Sequence, residues 1–222
     1  MQVALLGGTG DIGEGLALRI AAETDHEVLV GSREESKAVD AATDYEDVLA
    51  EHGHDVALSG HANDEATALG DVVVLAVPPF HVTDTVDAVA AELDAGTVLV
   101  SPAVGMDKSA DGFSYDPPGV GSVTELVAAT APDEVPVVGA FHNLPANRLA
   151  HLDDDLGIDT LVVADDDDAK RTVVDLADDV GGLRPVDAGP LANAPEIEGI
   201  TPLLINIAMN NDDMHDVGVR FL

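Results

Sequence analysis

The sequence predicts a doubly wound, mostly parallel α/β sheet of the Rossmann type, with a small α/β extension at its C-terminal end. Three observations carry this expectation. Runs of β-formers alternate with runs of helical spacing along nearly the whole chain, and such alternation places parallel strands side by side with helices on both faces. The first strand run leads into the glycine-rich stretch GGTGDIG, residues 7–13, and then into a helix. Residues 71–77, DVVVLAV, form an almost unbroken β-branched run, as a strand covered on both faces requires.

Taken in order, QVALLG (2–7) reads as a buried first strand. No basic segment precedes it and glycines follow at once, which argues against a signal peptide. DIGEGLALRIAAE (11–23) has the apolar spacing of a helix, EVLVGS (27–32) reads as the second strand, and a helix is expected over 34–51. VALSG (56–60) is a third strand and residues 63–69 a short helix. After the strand at 71–77 come a helix over 81–93, the strand TVLVS (97–101), a Gly/Pro-rich loop to about residue 119, a helix over 122–130 and the strand VPVVGAF (135–141). The remainder reads as a strand at 160–165, a helix over 167–180, a strand at 183–189 and a last helix over 202–210. No internal repeat and no Gly/Ser linker separates independent units.

At 222 residues and 46% hydrophobic content the chain can bury a substantial core. No apolar run approaches the ~18 residues of a membrane helix, and the absence of Cys removes disulfide and thiolate chemistry. A cytoplasmic protein is the expectation. Nine Lys and Arg against 43 Asp and Glu leave a net charge of −34. That self-repulsion is tolerable where salt shortens the Debye length to roughly 3 Å at 1 M, and the composition resembles that of haloarchaeal cytoplasmic proteins. The same charge excludes nucleic acid and anionic membranes as partners, since both demand a basic face.

Within GGTGDIG, Gly8, Gly10 and Gly13 form G-x-G-x-x-G between strand and helix. Read on this motif, Gly8 permits the tight turn, Gly10 lets backbone approach a pyrophosphate, and Gly13 lets the helix pack on the sheet. The helix N-terminus offers unpaired N–H groups to phosphate. An NAD-binding fold places an acidic residue at the tip of the second strand. Here the tip is Gly31-Ser32-Arg33, with Lys37 one turn further on. A hydroxyl, a guanidinium and an ammonium suit a phosphate, so NADP is the expected dinucleotide.

Familiar catalytic patterns are missing. Neither Tyr45 nor Tyr115 is followed four residues later by Lys, and no zinc-binding spacing occurs. The HGH at residues 52–54 and the acidic run 165–168 read as a solvated turn and a helix cap. His81 and His142 each follow a hydrophobic strand at its carboxyl end, where open α/β sheets bind ligands. His142 is also readable as a satisfied core residue.

The stretches VALLGGTGDIGEGLALR, VGSREESK, VLAVPPFH, VSPAV, GFSYDPPG, GAFHNLPANRLAHLD, GLRPVDAGPL and TPLLINIAMNN with the terminal GVRFL together resemble the archaeal reductases that pass a hydride between the deazaflavin coenzyme F-420 and NADP. The resemblance runs from Met1 to Leu222. It implies an NADP-binding Rossmann domain over residues 1–145 and a C-terminal extension over 146–222 that completes the deazaflavin pocket. By the same resemblance Thr9, Gly10, Asp11 and Ile12 hold the pyrophosphate region, and Ser32, Arg33 and Lys37 hold the 2′-phosphate. Val77 and His81 line the run from adenosine to nicotinamide, Val104 and Ala146 pack near the nicotinamide, and Val217 touches the deazaflavin. The implied reaction is direct hydride transfer between two prebuilt carriers, with no covalent intermediate, no metal and no catalytic side chain; if a protonated group assists the deazaflavin ring, His142 is the candidate. Two readings remain beside it: an NADP-dependent reductase of a small imine or 2-hydroxy acid, and a non-enzymatic NADP-binding redox sensor. Hydrophobic residues at the C-terminal end, Phe221 and Leu222, suggest a homo-oligomer whose other partners are small redox coenzymes.

Overall fold

A computed structural model describes residues 1–222 of the chain. The elements run β1 (Gln2–Leu6), α1 (Asp11–Glu23), β2 (Glu27–Ser32), α2 (Glu35–Glu51), β3 (Ser59–Ala62), α3 (Asn63–Leu69), β4 (Val72–Leu75), α4 (Val82–Val89) and β5 (Val98–Ser101). They continue as the hairpin β6 (Met106–Ser109) and β7 (Gly112–Tyr115), then α5 (Val123–Thr130), β8 (Val137–Gly139), α6 (Ala146–Ala150), β9 (Ile158–Ala164), α7 (Asp167–Asp178), β10 (Leu183–Asp187), α8 (Ala194–Glu198) and α9 (Ile200–Met209). Eight strands make one sheet in the order β10-β9-β8-β5-β4-β1-β2-β3. The stretch from β3 to β8 is wholly parallel, with β1 paired to β2 and β4. This is the doubly wound fold expected from the sequence. Its crossover point lies at β1, beside which ligands of open sheets sit.

Alternation along β1 builds two cores from one strand. Val3 and Leu5 join the larger cluster beneath α1, α2 and α7, whereas Ala4 and Leu6 join the smaller one beneath α4 and α5. The β-branched run of β4 splits the same way, Val72 and Val74 to one face and Val73 and Leu75 to the other, as a period of two requires.

Residues beyond 145 extend the same sheet. β9 runs antiparallel to β8, and β10 runs parallel to β9. Arg19 of α1 joins the two halves of the chain. Only 2% exposed, it donates to the carbonyls of Leu149 (2.9 Å), Arg148 (3.1 Å) and Asp154 (2.9 Å) and pairs with Glu23 at 2.8 Å. That clamp holds α6 against α1.

Several boundaries differ from the sequence reading. The expected Gly/Pro-rich loop contains the β6–β7 hairpin, closed at Gly112 with φ +118°. The third strand begins three residues late, at Ser59. The helix expected over 81–93 is a 3-10 turn at Pro79–His81 followed by α4, which ends at Val89; Pro79 fixes the φ of that first turn. α6 and α8, five residues each, were not foreseen. Asp166 of the acidic run caps α7 by accepting from the amides of Asp168 and Ala169. No helix is long and apolar enough to cross a membrane.

Candidate functional site

The turn between β1 and α1 is made by Gly7, not by Gly8. Gly7 adopts φ +75°, and a Cβ there would sit 2.6 Å from the Val77 side chain and 2.8 Å from the Ala76 carbonyl. Gly8 and Gly13 have a different reason to lack side chains: a Cβ on Gly13 would fall 2.6 Å from the Gly8 Cα, so loop and helix touch backbone to backbone. Gly10 is the N-cap of α1 and supplies no side-chain cap. The backbone amides of Thr9, Asp11, Ile12 and Gly13 have no hydrogen-bond partner. Four free donors at a helix N-terminus form an anion cradle. Its shape is held from α2, where the buried Tyr45 hydroxyl donates to the Gly8 carbonyl at 2.9 Å; burial pushes that phenol well above its ordinary pKa.

A cleft of about 370 Å³ opens in front of this loop, at the carboxyl ends of β1, β2 and β4. Thr9, Gly10, Ser32, Arg33, Lys37, Val77 and His81 all line it. Ser32 is buried at the tip of β2, and its hydroxyl accepts from the Glu34 amide at 3.3 Å. Arg33 makes no hydrogen bond and no ion pair, while Arg19, Lys170, Arg171 and Arg184 are each tied to a carboxylate. Lys37 is held by Glu34 at 2.7 Å, both side chains being exposed, and its hydrogen bond and charge keep the Glu34 carboxyl below the usual range. Asp11, Ile12 and Gly13 form the first turn of α1 without lining the cleft, and Gly8, in the loop before them, does not line it either. Asn63, overlooked in the sequence, also lines the cleft and carries a buried Oδ1 with no partner.

A second cleft, of about 470 Å³, lies where the chain leaves β8, with α9 and the C-terminal segment as its other walls. Seven of its twelve lining residues are hydrophobic, including Ala146 from α6, Leu204 and Ile205 from α9, and Val217. Val104, in contrast, is buried in the loop after β5 and lines neither cleft.

His142 is a core residue. Its Nε2 lies 3.1 Å from the Thr124 hydroxyl and 3.9 Å from the Glu198 carboxylate. Glu198 is fully buried, accepts from the amides of Val123 and Thr124 and from the hydroxyls of Thr124 and Tyr115, and caps α5 from another element. Because the Thr124 proton goes to Glu198, the His142 ring donates through Nε2–H. Burial pushes its pKa down to about 3. The residue lines neither cleft, and its Nδ1 is buried without a partner. The same burial raises the Glu198 pKa.

The two clefts thus divide their chemistry. One presents backbone amides and cations, and the other presents largely apolar walls. No set of three His, Cys, Asp or Glu side chains converges as a metal site.

Comparison with known proteins bears on which molecules these are. The family model described as "NADP oxidoreductase coenzyme F420-dependent" matches residues 2–105. The chain is 38% identical to the F420-dependent NADP reductase of Methanocaldococcus jannaschii over 93% of this chain and 92% of the relative. It is 37% identical to the F420-dependent NADP reductase of Methanothermobacter marburgensis over 99% of this chain and 97% of the relative. Among solved structures, it superposes with a TM-score of 0.77 and 25% identity on a crystal structure provisionally described as an F420-dependent NADP reductase from Arthrobacter sp. FB24, covering 95% of this chain and 94% of that one.

Proposed function

The chain belongs to the coenzyme F420-dependent NADP reductases, and from that membership we propose how its two clefts perform the reaction. It is an oxidoreductase that moves a hydride reversibly between reduced coenzyme F420 and NADP. The observation that carries the assignment of sites is the juxtaposition of unpartnered amides at the start of α1, Thr9 among them at the cleft wall, with an unpaired Arg33 on the same cleft. The amides from Thr9 to Gly13 hold the pyrophosphate. Ser32, Arg33 and Lys37 hold the 2′-phosphate, Arg33 through its fork and Lys37 as a point charge. Val77 and His81 guide the dinucleotide toward the second cleft. Ala146 and Val217 belong to the slot that receives the deazaflavin ring.

The chemistry asks little of side chains. The dihydronicotinamide C4 gives up its hydrogen with both bonding electrons to C5 of the oxidised deazaflavin, or the reverse. The chain contributes proximity, orientation and apolar walls that exclude water. Residues 1–145 act as the NADP domain and residues 146–222 as the part that completes the deazaflavin pocket. The small-imine or hydroxy-acid reductase and the redox sensor gain no support beside this reading.

The charge of −34 fits a halophilic archaeal cytoplasm. A homo-oligomer is in keeping with exposed hydrophobic side chains at two places, Leu203 and Met209 on α9, both more than half exposed, and Phe221 and Leu222 at the last two positions. The test of the function is optical: protein, NADPH and oxidised coenzyme F420 are mixed in concentrated KCl and the visible absorbance of the deazaflavin is followed. Its loss at a rate proportional to enzyme supports the proposal, and an unchanged spectrum across pH defeats it.

A further inference from the structure

Asp159 is the one charged side chain inside β9, whose seven residues are all buried. A buried carboxylate is costly unless it is paired and hydrogen-bonded. Here every polar group of the residue is engaged. Arg184, its register partner on β10, grips the carboxylate through Nε at 2.8 Å and an η-nitrogen at 2.6 Å. The carboxylate also accepts from the Phe221 amide at 2.6 Å, and the same Arg184 nitrogen donates to the Phe221 carbonyl. The Asp159 amide donates to Val219 at 2.8 Å, and its carbonyl accepts from the Asn143 side chain at 2.7 Å. A hydrophobic pair would join β9 to β10 as well; what the ion pair adds is a grip on the C-terminal segment.

That segment is shaped to be held. Gly218 packs where a Cβ would come 2.6 Å from Ile158, and Asp216 turns the chain at φ +49°. Immediately before these anchors stand His215, Asp216 and Val217, which wall the apolar cleft, and Asn143 walls it from the other side. We infer that Asp159 and Arg184 are positioning residues for the deazaflavin slot: the pair pins the C-terminal segment, and the Asp159 backbone carbonyl holds Asn143, where both form walls of that cleft. The inference rests on the reading of the second cleft given above. Neither residue touches the ring; each acts through the backbone it holds.

The experiment compares wild type, Arg184→Gln, Arg184→Lys and a chain ending at Arg220, all in concentrated KCl. Oxidised coenzyme F420 is titrated without nucleotide, NADP is titrated by calorimetry, and amide exchange is followed over residues 216–221. Arg184→Gln and the shortened chain should exchange faster in that segment and bind the deazaflavin on the order of tenfold more weakly. NADP affinity should be unchanged. Arg184→Lys, which keeps the charge but not the fork, should recover part of the loss. Faster exchange with undiminished deazaflavin affinity would overturn the inference, as would an equal loss of both ligands. A wild-type chain that binds NADP but no deazaflavin would overturn the reading of the slot itself, and the pin with it.

Discussion

Replacing Arg33 with Ala should convert an NADP-selective site into one that treats NADP and NAD nearly alike. In the structure Arg33 has no partner within the chain, so its removal strands no internal group and leaves the fold undisturbed. A hydrogen bond between charged partners contributes about 1.5–3 kcal/mol. Arg33 stands exposed at the rim of the cleft, which favours the lower figure, so the Kd for NADP should rise roughly tenfold. Lys37 is shared with Glu34 at 2.7 Å and must leave that carboxylate to meet a phosphate. Lys37→Ala should therefore weaken NADP binding by only a few-fold, and Glu34→Gln should tighten it by a similar factor. Titration calorimetry of each variant with NADP and NAD, at fixed KCl, reads all three. An equal loss for both dinucleotides in Arg33→Ala would refute the 2′-phosphate assignment, and so would weaker NADP binding in Glu34→Gln.

Three further expectations follow from the packing and the charge. Gly15→Ala places a methyl 2.6 Å from the Leu149 Cβ and 3.1 Å from the Ala146 carbonyl; it should cost about 1–3 kcal/mol in denaturant unfolding and weaken deazaflavin binding through α6. His142 has a folded pKa of about 3 against an ordinary 6.5. The unfolded chain therefore binds a proton that the folded one refuses, and stability contributed above pH 6.5 is lost at about 1.4 kcal/mol per unit as pH falls toward 3. His142→Gln should flatten the fall by one proton's worth, and an unchanged slope would count against a neutral buried ring. With a net charge of −34, the thermal midpoint should climb by on the order of 10 °C between about 0.1 M and 2 M KCl; a flat profile would remove the halophilic reading.

Local pattern reaches the sheet because its strands are short and apolar and alternate with runs of helical spacing. It reached the phosphate loop because G-x-G-x-x-G stands between a strand and a helix. It misjudged which glycine turns, since Gly7 is marked only by its contact with Val77, seventy residues away in sequence. Tyr45 was read for a missing catalytic Lys, whereas it supports the loop through Gly8 from α2. The clamp of Arg19 on residues 148–154 and the Asp159–Arg184 grip on Phe221 are long-range pairings with no periodicity to betray them. α6, capped by Pro145, and α8, with Pro195 in its first turn, are five residues each, too brief for helical spacing to show. An isolated charge inside a hydrophobic run was the one legible sign of Asp159.

In the proposed reaction the hydride passes directly from one carrier to the other, with no side chain as an intermediate stop. The most direct test uses NADPH carrying deuterium at nicotinamide C4, in either stereochemical position, with oxidised coenzyme F420 in ordinary water. One of the two labelled forms should deliver its deuterium to deazaflavin C5, seen by mass spectrometry of the reduced coenzyme. Recovery of that label in the solvent, with an unlabelled product from both forms, would contradict the account.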